Sequence, residues 1–251
     1  MWSDFLLYAV IPVVSINLIG YLMGYFLQTD KFTDASYSLS FLSVVWTYVL
    51  LSDGGQVLLV YALLVTIWAL RLGGFLLYRI IEMGKDDRFD EMRSGAWSFA
   101  KFLILQTISV LIIVSPIMVL GDMEWQVLHY VGIAIFGIGW ILEARADAQK
   151  FSAKKKDNSV KPWDLPGLWT RLRYPNYTGE IMVWLGLAIY CIPSMTGLQY
   201  LLLISPVWII TLLVGISGIP LTRQSREERY GDKPEYREYL ERTDRLVPGV
   251  Y

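Results

Sequence analysis

The chain is poor in the residues that bind metals or form disulfides, with one cysteine, Cys191, and one histidine, His129, among 251 residues. A single cysteine excludes an internal disulfide and any metal site built from several cysteines, and a single histidine excludes a multi-histidine site. Neither a Ser-His-Asp nor a Cys-His catalytic centre is available, and no zinc-finger, P-loop or Gly-rich dinucleotide motif occurs. We therefore predict no metal site, and we expect His129 at a membrane interface and Cys191 in packing.

Charged residues are also scarce. They make up 18% of the chain, whereas about 25% is usual in a soluble domain. The net charge of −1 gives no support to a nucleic-acid partner. In contrast, 55% of the residues are hydrophobic, and the 10 tryptophans and 16 tyrosines suit the two interfaces of a bilayer. This composition predicts an integral membrane protein that contacts membrane lipids.

A helix that spans a bilayer needs about 20 mostly apolar residues. The candidate stretches are Phe5–Leu27, Ser38–Leu51, Val57–Ile81, Phe99–Leu120, Trp125–Leu142, Thr178–Ile192 and Leu198–Leu221. The second and the sixth are short, so six spans are an alternative to seven. We predict an all-α protein, a bundle of about seven transmembrane helices that forms one domain over residues 1–251.

The basic residues alternate between the connectors of these spans. The connectors 52–56, 121–124 and 193–197 contain no lysine or arginine, and all 22 basic residues lie at or toward the other connectors and the tail. The positive-inside rule then places the N terminus outside and the C terminus in the cytoplasm. The polar segments 82–98, 143–177 and 222–251 would share the cytoplasmic face.

The densest group of polar residues lies at residues 167–180, where it leads into an apolar stretch. Polar side chains at the mouth of a membrane helix are costly unless they bind something. Pro175 suits the start of a helix, Asn176 or Thr178 can cap it, and Glu180 suits the positive end of its dipole. Helix capping explains these residues but leaves the neighbouring arginines and tyrosines unexplained.

Arg171 and Arg173 supply that further chemistry, because guanidinium groups bind phosphates through paired hydrogen bonds. Tyr174 and Tyr177 can stack on a ring or donate to it. A cofactor that carries phosphate groups would use donors and rings of this kind. The segment therefore predicts a binding site at the membrane surface.

Three further groups of ionisable residues permit two interpretations each. Glu143 and Asp147 are four residues apart and therefore lie on one helix face. They are either an ordinary exposed helix end or part of a site. Arg71, inside the third span, extends to the interface or faces a polar cavity. Asp34 and Tyr37, at the entrance of the second span, are a charged helix start or a proton donor in a cavity.

The motif Leu-Trp-x-x-x-Arg-x-Pro-Asn-Tyr-x-Gly-Glu, at residues 168–180, resembles the signature of steroid 5α-reductase-like membrane proteins, and especially of their bacterial relatives of unassigned function. Three other stretches agree in order and spacing, so the resemblance covers roughly residues 30–250. They are Arg71…Gly84-Lys-Asp-Asp-Arg-Phe-x-x-x-Arg93, Glu143-x-x-x-Asp147-x-Gln-Lys150 and Tyr230-Gly-Asp…Tyr236-x-x-Tyr239…Thr243…Pro248.

This resemblance implies a bundle of about seven membrane helices with NADPH held at the cytoplasmic side. It also implies hydride transfer to the α,β-unsaturated ketone of a hydrophobic, sterol-like lipid. By resemblance, the positions that match cofactor-binding residues are Asp147, Asn176, Glu180 and Tyr239, with Arg171 and Arg173 placed for phosphate or ribose and Tyr177 at an aromatic position. The implied membrane is a bacterial inner membrane, or the endoplasmic reticulum in a eukaryote.

The chain departs from the steroid reductases where those enzymes hold the substrate carbonyl. They place a Gln-Glu pair in the second span, which is absent around Ser38–Leu51, and a tyrosine in the third span, where this chain has Trp68. Asp34 and Tyr37 are the nearest substitutes, so we predict them as the catalytic residues. Tyr174 also replaces a histidine that is common in the relatives.

Two alternative functions remain open. Membrane methyltransferases of the isoprenylcysteine carboxyl type share an Arg-x-Pro-x-Tyr element and a tail rich in Glu and Tyr, and they bind S-adenosylmethionine. The missing acid pair also suits a non-catalytic lipid-binding protein. Binding of NADPH, of S-adenosylmethionine or of neither would separate these functions. The sequence makes no prediction of the oligomeric state.

Overall fold

The fold is known from a computed structural model that describes residues 2–27, 31–83 and 96–249. The described residues are helical and contain no strand, apart from a single bridge between Leu172 and Asp244. The α-helices are α1 Trp2–Phe5, α2 Ile11–Leu27, α3 Lys31–Leu51, α4 Gly55–Met83, α5 Ala96–Val114, α6 Val127–Lys156, α7 Pro175–Cys191, α8 Ile204–Thr211, α9 Ile219–Tyr230 and α10 Pro234–Arg242. Two π-helical turns, Leu6–Val10 and Leu212–Ile216, continue α1 and α8.

Several of these helices are long and apolar enough to cross a membrane. Within the described ranges there are five such stretches, at Ser3–Phe26, Gly55–Glu82, Ala100–Val119, Val127–Lys156 and Gly197–Tyr230. The prediction of an all-α, multi-pass membrane protein is confirmed. The count of seven spans and the positions of the two termini stay predictions. One short predicted span lies within α3, which is 21 residues long, and the other lies within the 17-residue α7 except for Ile192, which follows that helix.

The chain divides into two compact units, and the first comprises residues 1–129 and 190–205. Here α3 packs against α2 and α4 around the buried side chains of Phe41 and Trp68. A buried polar network also links the helices, because Asn17 Nδ2 donates to Ser40 Oγ at 3.0 Å and Gln106 Nε2 donates to Asn17 Oδ1 at 2.7 Å. Such hydrogen bonds stabilise the association of membrane helices, because the hydrophobic effect contributes little to helix association within lipid.

The second unit comprises residues 130–189 and 206–251, and α6 and α7 approach each other closely within it. A Cβ atom on Gly179 would lie 2.5 Å from Glu143 N, and one on Gly139 would lie 2.7 Å from Gly179 O. One on Gly186 would lie 2.5 Å from Phe136 N. Glycine is required at these positions because the two helix backbones are in contact, as is common for small residues in membrane helices.

Candidate functional site

The connector between α6 and α7 folds back onto α6. Trp169 is 1% exposed and its Nε1 donates to Ala146 O at 2.9 Å, while Leu168 N donates to Gln149 Oε1 at 2.9 Å. Gly167 has a positive φ of 68°, and a Cβ atom there would overlap the Gln149 side chain. The motif Gly-Leu-Trp therefore fixes the path of the chain that enters the polar segment.

The C-terminal segment then pairs with that polar segment. Arg173 N donates to Asp244 O at 2.8 Å, and Asp244 N donates to Arg171 O at 3.0 Å. Thr178 Oγ1 donates to Leu246 O at 2.7 Å, so its side chain anchors the tail and does not cap α7. This pairing explains how two segments about 70 residues apart in sequence form one surface.

Two tyrosines of α10 are buried beneath this surface. Tyr236 and Tyr239 are each 1% exposed, and their rings are 6.5 Å apart, so they share one face of the helix, as their three-residue spacing predicts. Trp163 packs on Tyr236, with ring centroids 6.2 Å apart. The buried Tyr239 Oη makes no hydrogen bond of acceptable geometry with any described residue. The Tyr239 hydroxyl, which can both donate and accept a hydrogen bond, is thus buried inside the second unit.

Two arginines, Arg173 and Arg226, lie near the tyrosines of this surface. The Arg226 guanidinium lies over the Tyr174 ring, with Cζ 5.3 Å from its centroid, and Tyr174 stacks on Tyr177 at 5.5 Å. Burial raises the pKa of Tyr239, and the positive charges of Arg226 and Arg173 oppose that rise. We call Arg173, Arg226, Tyr174 and Tyr239 the arginine–tyrosine cluster.

Among the residues that the structure describes, no carboxylate forms an ion pair with this cluster. Neither Arg173 nor Arg226 has a carboxylate within ion-pair distance there, and Arg173 Nε is buried without a hydrogen-bond partner. The nearby Glu227 is engaged elsewhere, because it pairs with Arg237 at 2.5 Å. Two cations beside a buried hydroxyl make a site suited to an anion such as a phosphate.

The remaining predicted cofactor residues lie in the same unit. Asn176 and Glu180 are partly buried in the first turns of α7, and Asp147 is partly buried on α6. The Asn176 amide forms no hydrogen bond within the described ranges, whereas Glu180 and Asp147 each have at least one polar or electrostatic interaction. Arg171 is exposed at the surface.

The predicted catalytic residues belong to the first unit. Tyr37 lies beside the buried Trp68, with ring centroids 6.2 Å apart, and beside Phe41 at 5.1 Å. It therefore neighbours the residue that the resemblance aligns with the tyrosine of the steroid reductases. Asp34 lies in α3, but its side chain is outside the described residues, as is the motif at residues 84–95. Arg71 is partly buried in α4.

Two residues of this surface were not among the predicted site residues. Arg226 belongs to a tail rich in both charges, and only the folded structure shows which arginine meets Tyr174. Glu143 is 2% exposed at the crossing of α6 with Gly179, which marks it as a buried carboxylate near the start of α7. The signals in the sequence were its spacing of four from Asp147 and its place in the motif that carries the family resemblance. His129, expected at an interface, has zero exposure.

The fold and this site define a multi-pass, all-α membrane protein with a phosphate-compatible cluster in its second unit. A family model described as a protein of unknown function (DUF1295) matches residues 20–243. The chain belongs to that family, which is associated with steroid 5α-reductase-like proteins. The searches of curated proteins and of solved structures returned no match.

Proposed function

We propose that the protein is a membrane-embedded reductase that uses NADPH to reduce the conjugated double bond of a hydrophobic, sterol-like enone. The observation that carries this proposal is the arginine–tyrosine cluster, in which Arg173 and Arg226 have no carboxylate partner among the described residues. Guanidinium groups bind phosphate through strong, charge-assisted hydrogen bonds. The phosphates of a nucleotide would supply the missing negative charge.

The donors around the cluster suit the rest of a nucleotide. Tyr239 Oη is buried next to the Arg226 side chain and can donate a hydrogen bond to a ligand oxygen. Because the pKa of Tyr239 is raised, its hydroxyl keeps its proton at neutral pH. The Asn176 amide can bond a ribose or a carboxamide, and the stacked Tyr174 and Tyr177 offer ring faces. When bound, NADPH supplies the hydride for the reduction.

The substrate end is assigned to Tyr37 and Asp34. A phenol such as Tyr37 can donate a hydrogen bond to a carbonyl oxygen and stabilise the negative charge that reduction places on it. Its packing against Trp68 and Phe41 limits the number of conformations of the ring. Asp34 would act as a second polar group or proton source. The apolar helices favour a lipid-like substrate over a soluble one.

Nucleotide binding to the detergent-purified protein tests the cofactor. We expect saturable NADPH binding that falls about tenfold or more in Asn176→Ala and in Glu180→Ala. Matched controls are Asn158→Ala and Glu241→Ala, since both side chains are exposed and outside the cluster. S-adenosylmethionine serves as the parallel ligand. Its binding in place of NADPH would move the protein to the methyltransferases, and binding of neither would favour a non-catalytic lipid-binding protein.

Turnover of a panel of enone lipids tests the substrate end. Tyr37→Phe keeps the ring and its packing but removes the hydroxyl, and Asp34→Asn removes the charge. We expect both variants to lose NADPH oxidation while the Kd of NADPH stays unchanged. If turnover survives both substitutions, neither residue has the proposed role.

A further inference from the structure

A second group of cations and rings lies in the second unit, outside the arginine–tyrosine cluster. The Lys161 Nζ lies over the Tyr230 ring, 5.7 Å from its centroid. The Trp163 ring meets Tyr230 edge to face, with centroids 5.3 Å apart, and Arg242 Nη2 donates to Trp163 O at 3.1 Å. Both rings are half-buried, and Arg242 is exposed. We call Lys161, Trp163, Tyr230 and Arg242 the lysine–tryptophan patch.

The connector between α6 and α7 holds two residues of this patch in an ordered backbone. Asp157 closes a turn ahead of them, because Ser159 Oγ and Ser159 N donate to Asp157 Oδ1 at 2.6 and 2.8 Å. Leu165, two residues after Trp163, is 4% exposed and packs in a core with Trp169. A ligand would therefore find the backbone already ordered, which lowers the entropic cost of binding.

The two cations of the patch have no carboxylate within ion-pair distance among the described residues. Asp157 is attracted by Lys161, but its carboxylate is occupied by the two bonds from Ser159. Asp164 and Glu241 are exposed to solvent and pair with neither cation. Water and salt screen such exposed charges. The groups in direct contact with the rings and their backbone are therefore an ammonium and a guanidinium, and both suit a phosphate.

A run of rings connects the patch to the arginine–tyrosine cluster. The Trp163 and Tyr236 ring centroids are 6.2 Å apart, and those of Tyr236 and Tyr239 are 6.5 Å apart. Tyr239 belongs to the cluster, so two places that suit phosphate flank one group of rings within the second unit. NADPH has a matching order of groups, because its adenosine carries the pyrophosphate on one side and the 2′-phosphate on the other. NADH has a hydroxyl in place of that 2′-phosphate.

We propose that the lysine–tryptophan patch binds the adenosine 2′-phosphate end of NADPH and so selects NADPH over NADH; this inference rests on the proposed function. Lys161 and Arg242 hold the 2′-phosphate through charge-assisted hydrogen bonds, which a hydroxyl cannot replace. The Trp163 ring stacks on the adenine, since every base has a face that stacks on aromatic side chains. The pyrophosphate stays with the arginine–tyrosine cluster.

Titration of NADPH and NADH into the detergent-purified, full-length protein tests this selection. We expect wild type to bind NADPH about tenfold or more tightly than NADH. Lys161→Gln should weaken NADPH about tenfold and leave NADH unchanged, because only NADPH carries the 2′-phosphate. Lys156→Gln, at an exposed lysine outside the patch, is the matched control and should change neither affinity.

Two nucleotide fragments test the same site without any substitution. Adenosine 2′,5′-bisphosphate should displace NADPH from wild type about tenfold more effectively than 5′-AMP, because only the bisphosphate carries the 2′-phosphate. Trp163→Leu tests the stacking, and it should weaken NADPH and NADH by the same factor, since both carry adenine. The melting temperature of each variant without ligand shows whether it has folded.

Equal affinities of NADPH and NADH for wild type, equal displacement by the two fragments, or an unchanged preference in Lys161→Gln would overturn this inference and leave the reductase proposal intact. Binding of neither dinucleotide would overturn both. Reconstitution in nanodiscs adds a test for lipid phosphates. A preference for NADPH that holds in phosphatidylcholine but disappears in phosphatidylglycerol would assign the patch to anionic lipid headgroups, and this result would also overturn the inference.

Discussion

The close contact between α6 and α7 makes Gly179→Ala a sharp test of how the site is positioned. The new Cβ atom would lie 2.5 Å from Glu143 N and 2.7 Å from Gly139 O, both backbone atoms that no side-chain rotation can move. Ordinary contact begins near 3.4 Å, so the helices must separate by about 0.9 Å at this point. Asn176 and Glu180 flank Gly179 on the same helix and would move with it.

We expect two measurable effects. Overpacking of a tight contact costs about 1–3 kcal/mol, which lowers the melting temperature of the purified protein. A displacement of this size also disrupts hydrogen-bond geometry, so NADPH affinity should fall about tenfold or more. The matched control is Gly137→Ala, because a Cβ atom there has no neighbour within 4 Å. It should be neutral or stabilising, as alanine favours helix by about 0.5–1 kcal/mol.

Thermal unfolding and NADPH titration of both variants test whether the close crossing of α6 and α7 positions the site. Equal melting temperatures and equal NADPH affinities in the Gly179→Ala and Gly137→Ala proteins would refute the close crossing of α6 and α7. A loss of stability with intact NADPH binding would retain the crossing but would refute its role in placing Asn176 and Glu180.

Three further predictions concern the second unit. A chain that ends at Arg242 should bind NADPH about tenfold more weakly than one that ends at Val247, because only the longer chain keeps the pairing of Asp244 with the polar segment. Trp169→Phe should lower the free energy of unfolding by about 1–3 kcal/mol through the lost bond to Ala146 O, whereas Trp97→Phe, at a side chain that is 67% exposed, should change it little. Bonds from Ser159 lower the pKa of Asp157, so this residue contributes stability above about pH 4. The stability difference between wild type and Asp157→Asn should shrink as pH falls through the lowered pKa; a constant difference would contradict that cause.

The helical membrane fold could be predicted from the sequence because it depends on long apolar runs and on few charges. The length and composition of residues 57–81 alone predict a membrane-spanning helix. Likewise, the three-residue spacing of Tyr236 and Tyr239 after Pro234 predicts a short helix with both rings on one face, and the structure shows that helix and buries the face. These features are local, so their periodicity is present in the chain itself.

The composition of the site was harder to predict because it depends on contacts between distant segments. Thr178 suits a helix cap by its position, yet its hydroxyl bonds Leu246 O, 68 residues away. The pairing of Arg226 with Tyr174 and the burial of Glu143 likewise require the folded tail and the crossing of two helices. Capping propensities describe one helix end, and they carry no information on a tail that competes for the same side chain.

We propose that Arg173 and Arg226 bind the phosphates of NADPH, and titration of NADPH into the Arg173→Gln, Arg226→Gln double variant tests this binding. Glutamine keeps a polar side chain but removes each charge. Arg229→Gln is the control, because this arginine is exposed on the same helix as Arg226. We expect saturable binding to wild type and to the control, and an affinity for NADPH that is about 100-fold or more lower in the double variant. Unchanged affinity in the double variant, or no saturable binding to wild type, would contradict it.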